Sequence, residues 1–352
     1  MARNMIAANK TLFGRLADFA AQRDYPVPDP SAARWVHANP AADEVLKVAL
    51  LRASMSFGRF RHLAWLEVNE QHFVATIGFD YEVDDPGFEL FEDIQGYDVC
   101  LLTELPVAPS VSAAEVYNVV AANSRDSNPE YRGHDNTQIM SLFPSIRVFL
   151  SAEPITEELI WPIFLSISSE ESRTGGSWIE SELAGCLSAL AEANVDLLPY
   201  KELCRSTLDL DPRSLFMSLY RCVEATYAHE KATKLKQDLS IEHEWHKIAE
   251  ALENAMSWRP LEASSLNVVL AFAKEDDLRE VCACLNVTLQ DDTNLASAAG
   301  KAIYQLRNRI VHYRPALAPV DSAEIDWNRL CVALVSVAHE VFHTAYGRER
   351  AA

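Results

Sequence analysis

Apolar residues recur at helical spacing over residues 5–22, which predicts an amphipathic helix near the start of the chain. Asn39-Pro40 can begin a second helix running to about Met55, because Pro suits the first helical position. The pattern then turns strand-like at Arg59–Val68, His72–Val83 and Tyr97–Leu105. Ser112-x-x-Glu115 has capping-box spacing and predicts a helix over 113–123. Gln138–Leu150 and Leu159–Ser168 read as further strands. Ser177-x-x-Glu180 predicts another capped helix, to about Ala193.

Past about residue 195 the strand signals stop. Leu198-Pro199 and Asp209–Pro212 mark a junction, and Asp211-Pro212 is a strong helix start. Leu215, Phe216, Leu219, Val223, Tyr227 and Leu235 predict one long helix to about Leu239. A second helix is expected over 241–257 and one or two shorter ones over 261–285. A fourth runs from about Thr293 to Tyr313 and stops at Pro315. Asp321-x-x-Glu324 caps a last one to about Tyr346. The expected fold is an α+β domain over 1–200, with a sheet and helices on one face, followed by an all-α bundle over 205–347.

Composition agrees with two folded domains: 352 residues, 49% apolar and 23% charged. The net charge of -20 argues against a surface coated for non-specific nucleic-acid binding, but leaves room for one local basic site. Cysteines stand at 100, 186, 204, 222, 282, 284 and 331, without Cys-x-x-Cys spacing; they read as buried thiols of a cytoplasmic protein. Arg3, Lys10, Arg15 and Asp18 interrupt the N-terminus, so no signal peptide is expected. No apolar run approaches the ~18 residues that suggest a membrane span.

The fourth predicted helix of the C-terminal half holds the candidate chemistry. On a wheel of about 100° per residue, Ala299, Ile303, Leu306 and Ile310 share a core face. Lys301, Tyr304, Gln305, Asn308, Arg309 and His312 gather on the other side. Acids account for 51 residues of the chain, yet none lies between Asp292 and Asp321, where Lys301, Arg307, Arg309 and Arg314 do. The segment is therefore a local positive site.

Arg307-Asn308-x-x-x-His312, late in a helix and followed by Tyr313-Arg314-Pro315, resembles the motif of the HEPN superfamily. The helix holding Tyr220-Arg221-x-x-Glu224 resembles that family's first helix. The resemblance spans roughly 205–347. It implies a four- to five-helix bundle, a homodimer with two motifs facing one cleft, and RNA cleavage without a metal or cofactor. By that carry-over, His312 is general base or acid for attack of a ribose 2′-hydroxyl on the adjacent phosphate, a role its ordinary pKa suits. The product would carry a 2′,3′-cyclic phosphate. Arg307 would hold charge on the phosphoryl oxygens and Asn308 would orient His312 or the phosphate. Arg309, Arg314, Tyr313 and Lys301 are the expected RNA contacts.

One geometric question stays open. Arg307 lies about 140° around the helix from His312, whereas Arg309 is its near neighbour. Either Arg307 reaches round or a partner subunit completes the site. Some members of the family carry a Tyr two residues after the His as a target of an antitoxin nucleotidyltransferase; here Arg314 holds that place. Others act only as dimerisation or binding modules, which is the alternative reading. A defence, toxin or stress role follows from family analogy alone. Residues 1–200 match no recognised pattern and are assigned sensing, delivery or inhibition through a protein regulator from architecture only.

Other motifs are weaker. His339-Glu340-Val341-Phe342-His343 has zinc-protease spacing, but too little chain follows for the usual third ligand. His243-x-x-His246 beside Glu242 and Glu244 reads as a solvated face. Asp80–Asp98, with eight acids and no base, reads as a loop rather than a cation site. Thr174-Gly175-Gly176-Ser177 lacks the lysine of a phosphate loop and reads as a helix entry.

Overall fold

The structure, a computed structural model, describes residues 4–37, 40–122, 130–174, 177–312 and 324–346. Chain contacts divide it into two units, Met1–Ile160 and Trp161–Ala352. The boundary falls well before the junction expected near residue 200.

The first unit holds α1 (Met5–Ala21), α2 (Pro40–Val48), β1 (Leu50–Phe57), β2 (Arg61–Val68), β3 (Gln71–Ile77), β4 (Phe88–Leu90), α3 (Tyr97–Glu104), α4 (Ala113–Ala122), α5 (Asn136–Met140) and β5 (Ile146–Ser151). The strands form one antiparallel sheet in the order β1-β2-β3-β5-β4. Asn69 and Glu70, both with positive φ, make the tight turn that sets the β2–β3 register. Ala64, Leu66, Phe73, Ala75, Ile77 and Val148 share a core with Leu12 and Leu16 of α1, Leu101 of α3 and Val116 of α4. The capping box forms as expected: Ser112 N–H donates to Glu115 Oε2 at 2.9 Å and Glu115 N–H to Ser112 Oγ at 3.3 Å. Asp98 is fully buried; its carboxylate accepts from Gly96 N–H, Val99 N–H and Asn136 Nδ2.

Several expected elements are replaced. α2 ends at Val48, and Leu50–Phe57 is a strand where helix was expected to Met55. The proposed cap Asn39 lies outside the described residues. Tyr97–Leu105 is helical, not extended: Tyr97 through Leu102 are all buried, so no polar face reveals the period. Residues 138–150 hold the end of α5 and then β5 rather than one strand.

The second unit is helical throughout its described residues: α6 (Ile160–Arg173), α7 (Ser181–Ala193), α8 (Tyr200–Thr207), α9 (Pro212–Glu224), α10 (His229–Leu239), α11 (Trp245–Met256), α12 (Glu262–Leu270), α13 (Glu275–Cys284), α14 (Leu295–Val311) and α15 (Trp327–Tyr346). Leu159–Ser168, expected as a strand, lies largely in α6. Its hydroxyls turn back onto the helix, Ser169 Oγ donating to the Leu165 carbonyl at 2.7 Å and Ser172 Oγ to that of Ser168 at 2.9 Å. α15 is the central rod; Leu330, Leu334, Ala338, Val341 and Phe342 bury its length against α7, α9 and α13.

Caps shape the unit. Asp211 Oδ1 accepts from Arg213 N–H at 3.1 Å and starts α9 where expected. The long helix breaks at Ala225–Ala228, where buried Thr226 Oγ1 donates to the Val223 carbonyl and successive N–H groups bond three residues back. α7 starts after Glu180 rather than at Ser177, and Asn328 of α15 caps it by accepting from Glu180 N–H at 2.9 Å. Asp326 begins α15 by accepting from Arg329 N–H; Asp321 lies outside the described residues. No described helix is long and apolar enough to cross a membrane.

Candidate functional site

Asn294 caps α14, its Oδ1 accepting from Ser297 N–H at 2.9 Å. Ala299, Gly300, Ala302, Ile303 and Leu306 form the buried face, packed on α12, α13 and α9. Gly300 permits the close approach of α12: a Cβ there would collide with the Asn267 side-chain oxygen and press on Leu270. Ile310, expected in the core, is only half-buried and lines a cleft instead.

Arg307 follows Ile303 by four residues and Gly300 by seven, so it enters on the packed side of the helix. Its side chain is 18% exposed. Nη1 donates to Asn308 Oδ1 at 3.0 Å, and Nη2 lies 3.6 Å from Glu262 Oε1 at the start of α12. The guanidinium carbon sits 5.7 Å from the Tyr220 ring centroid. Its Nε is buried without an acceptor among the described residues. Tyr220 in turn accepts from the Tyr227 hydroxyl at 3.2 Å.

Arg307 is the counter-charge of a small acidic cluster. Burial pushes the Glu224 carboxyl up, and the neighbouring Glu262 pushes it further. Arg307 and Arg221 oppose that shift. In the sequence Tyr220 and Glu224 stand out only through the resemblance, and Glu262 does not stand out at all. The spacing Tyr220-x-x-x-Glu224 places both on one helix face; nothing in the sequence joins Glu262 to them.

His312 stands at the opposite extreme. It is the C-cap of α14, with extended backbone (φ -107, ψ 110). Its N–H donates to the Asn308 carbonyl at 3.0 Å, and its ring is exposed. Its side chain has no partner among the described residues. Arg307, Asn308 and His312 are thus linked through Asn308, but the Arg307 guanidinium and the His312 imidazole leave the helix on different sides. Lys301 and Arg309 are exposed, and Arg309 borders a small pocket of about 180 Å³ beside Leu285–Val287. Tyr313, Arg314 and Pro315 lie outside the described residues.

The remaining motifs are engaged locally. His339 and His343 stack at 6.2 Å, but Glu340 between them pairs with Lys274 at 2.6 Å. His246 Nε2 lies 3.2 Å from Glu244. Among the described residues no three His, Cys, Asp or Glu side chains converge as a metal site. The acidic segment after Asp80 is a turn, with Gly87 N–H donating to Asp85 Oδ1, and it leads into β4. Gly175 and Gly176 lie outside the described residues. The seven cysteines are thiols rather than disulfides, and burial pushes the Cys204 and Cys222 thiols up to about 12.

No protein-family model matches the chain, and no curated protein or solved structure matches it significantly.

Proposed function

We propose that the helical unit is HEPN-like and that the chain is a metal-independent endoribonuclease acting as a homodimer. The observation that carries this reading is the linkage of the three motif residues at the open end of α14. Arg307 is hydrogen-bonded to the Asn308 side chain, and the Asn308 carbonyl receives His312 N–H, which leaves the imidazole in solvent.

In this reading His312 takes the proton from a ribose 2′-hydroxyl. The 2′-oxygen bonds to the adjacent phosphorus, the bond from phosphorus to the 5′-oxygen breaks, and the leaving oxygen takes a proton from an acid in the facing subunit. A 2′,3′-cyclic phosphate remains. Arg309 and Lys301 supply cations to the RNA, with Tyr313 and Arg314 beyond them in sequence. Arg307 fixes Asn308 and reaches the phosphate only by exchanging Glu262 for it. The reduced cysteines suit a cytoplasmic protein in a defence, toxin or stress system, with the first unit as receiver of a regulator.

The Arg307–Glu262 pair favours a second reading, a non-catalytic binding or dimerisation module in which Arg307 is purely structural. Incubation of the purified chain with total RNA in EDTA separates the two. Cleavage lost in His312→Ala and Arg309→Ala, and weakened in Arg307→Ala, supports the enzyme. RNA left equally intact by wild type and all three variants supports the module.

A further inference from the structure

A further pocket of the helical unit, about 500 Å³ in volume, lies between the end of α9, α11, the start of α12 and the end of α15. That is the size of an ordinary small-molecule site. Much of its lining is aromatic. Trp245, His246 and Tyr346 form one cluster, with ring centroids 5.2 to 6.0 Å apart, and Tyr227 and Trp258 add two more rings. Hydrogen bonds fix two of these rings in advance of any ligand. Trp245 Nε1 donates to the Ala345 carbonyl at 3.0 Å, and the Tyr227 hydroxyl donates to that of Tyr220 at 3.2 Å.

The charge of the lining is negative: Glu224, Glu250, Glu253 and Glu262 stand against Arg259 alone. Three of these glutamates have partners. Glu253 pairs with Arg259 at 2.6 Å, Glu250 with Lys247 at 3.4 Å and Glu262 with Arg307 at 3.6 Å. Glu224 is half-buried, and its carboxylate makes no ion pair or hydrogen bond among the described residues. Arg307 and Arg221 favour its charged form from a distance, but neither pairs with it and neither lines the pocket. Burial and Glu262 act the other way, and a cation seated beside Glu224 would offset both. The negative lining disfavours an anion. Among the described residues no three acids, histidines or cysteines converge as a metal ion requires. Aromatic faces attract an organic cation and cover its apolar stem.

We propose that this pocket binds a small organic ammonium ion, with its N–H groups on Glu224 and its apolar stem among Trp245, Trp258 and Tyr346. The proposal is independent of the ribonuclease reading. The test is calorimetric titration of the full chain with 2-phenylethylammonium and, separately, with 2-phenylethanol, which has the same shape without the charge. The ammonium should bind saturably in the millimolar range or tighter, and the alcohol at least about tenfold more weakly. Glu224→Gln, which keeps the shape of the side chain, should weaken the ammonium at least about fivefold and change the alcohol less than about twofold. Trp258→Leu should weaken the ammonium at least about threefold. Glu230→Gln, at an exposed acid of α10 outside the lining, should change it less than about twofold. Equal affinity for the two probes, no ammonium binding at millimolar concentration, or wild-type affinity in either Glu224→Gln or Trp258→Leu overturns the proposal.

Discussion

Arg307 and His312 are five positions apart in one motif and occupy opposite physical situations. Arg307 is held by Glu262, Asn308 and the Tyr220 ring, whereas the His312 side chain, at a helix end, has no partner among the described residues. Arg307→Ala would remove the larger of the two positive charges that oppose the Glu224 shift and the partner of Glu262, and we expect a loss of roughly 2 kcal/mol in urea unfolding. Arg307→Lys should recover less than half of it, because an ammonium cannot reproduce the planar fork; full recovery would contradict this account. Glu224 gives a pH test. Its carboxyl is raised above its ordinary 4.5, so the native state binds more protons than the unfolded one, and stability falls as pH rises above that value. Glu224→Gln should therefore raise Tm near pH 7 and lose the gain below about pH 4.5. An equal gain at both ends of the range would show that the charge is not the cause. The sequence made the angular separation of Arg307 and His312 legible. It did not reveal Glu262, because that contact joins two helices and depends on their crossing.

Helix α14 packs against α12 at Gly300, where an added Cβ would lie 2.4 Å from the Asn267 side-chain oxygen. Gly300→Val should cost about 1–3 kcal/mol in thermal unfolding, since the added atoms meet Asn267 and Leu270. A Tm unchanged from wild type would mean that the two helices part without cost. Elements with one polar face were readable: α1, α4, α11 and α14 lie close to where the spacing placed them. Elements without one were not. α3 is buried through six consecutive residues, and α6 mixes isoleucine with serine, which resembles a strand on composition alone. Pro162 carried the missed signal, because Pro is tolerated in a first helical turn and not in a central strand. For β1 the alternation of Ala53, Met55 and Phe57 with Ser54 and Ser56 was present, but the preceding helix pattern ran into it. The break at Thr226 depends on a hydroxyl-to-carbonyl bond in a sequence that keeps helical spacing throughout.

For the whole molecule the net charge is -20, and acids reach the end of α14 too: Glu202, Asp209 and Asp211 line the cleft that holds Arg221 and Ile310, and Glu324 lines the pocket that holds Arg309. An acidic protein with so few cations beside its candidate site should bind RNA weakly, and more weakly as salt rises. The proposed dimer predicts a light-scattering mass near twice 39.3 kDa at micromolar concentration; a monomer at every concentration would remove the facing subunit from the mechanism. The central claim is that His312 performs proton transfer in RNA cleavage. The most direct measurement is the rate and end chemistry of cleavage of a defined single-stranded RNA in EDTA, for the wild type and His312→Ala. The account predicts cleavage with 2′,3′-cyclic phosphate ends and a fall of at least about 100-fold in the variant; equal rates for the two proteins, or 3′-hydroxyl ends, would contradict it.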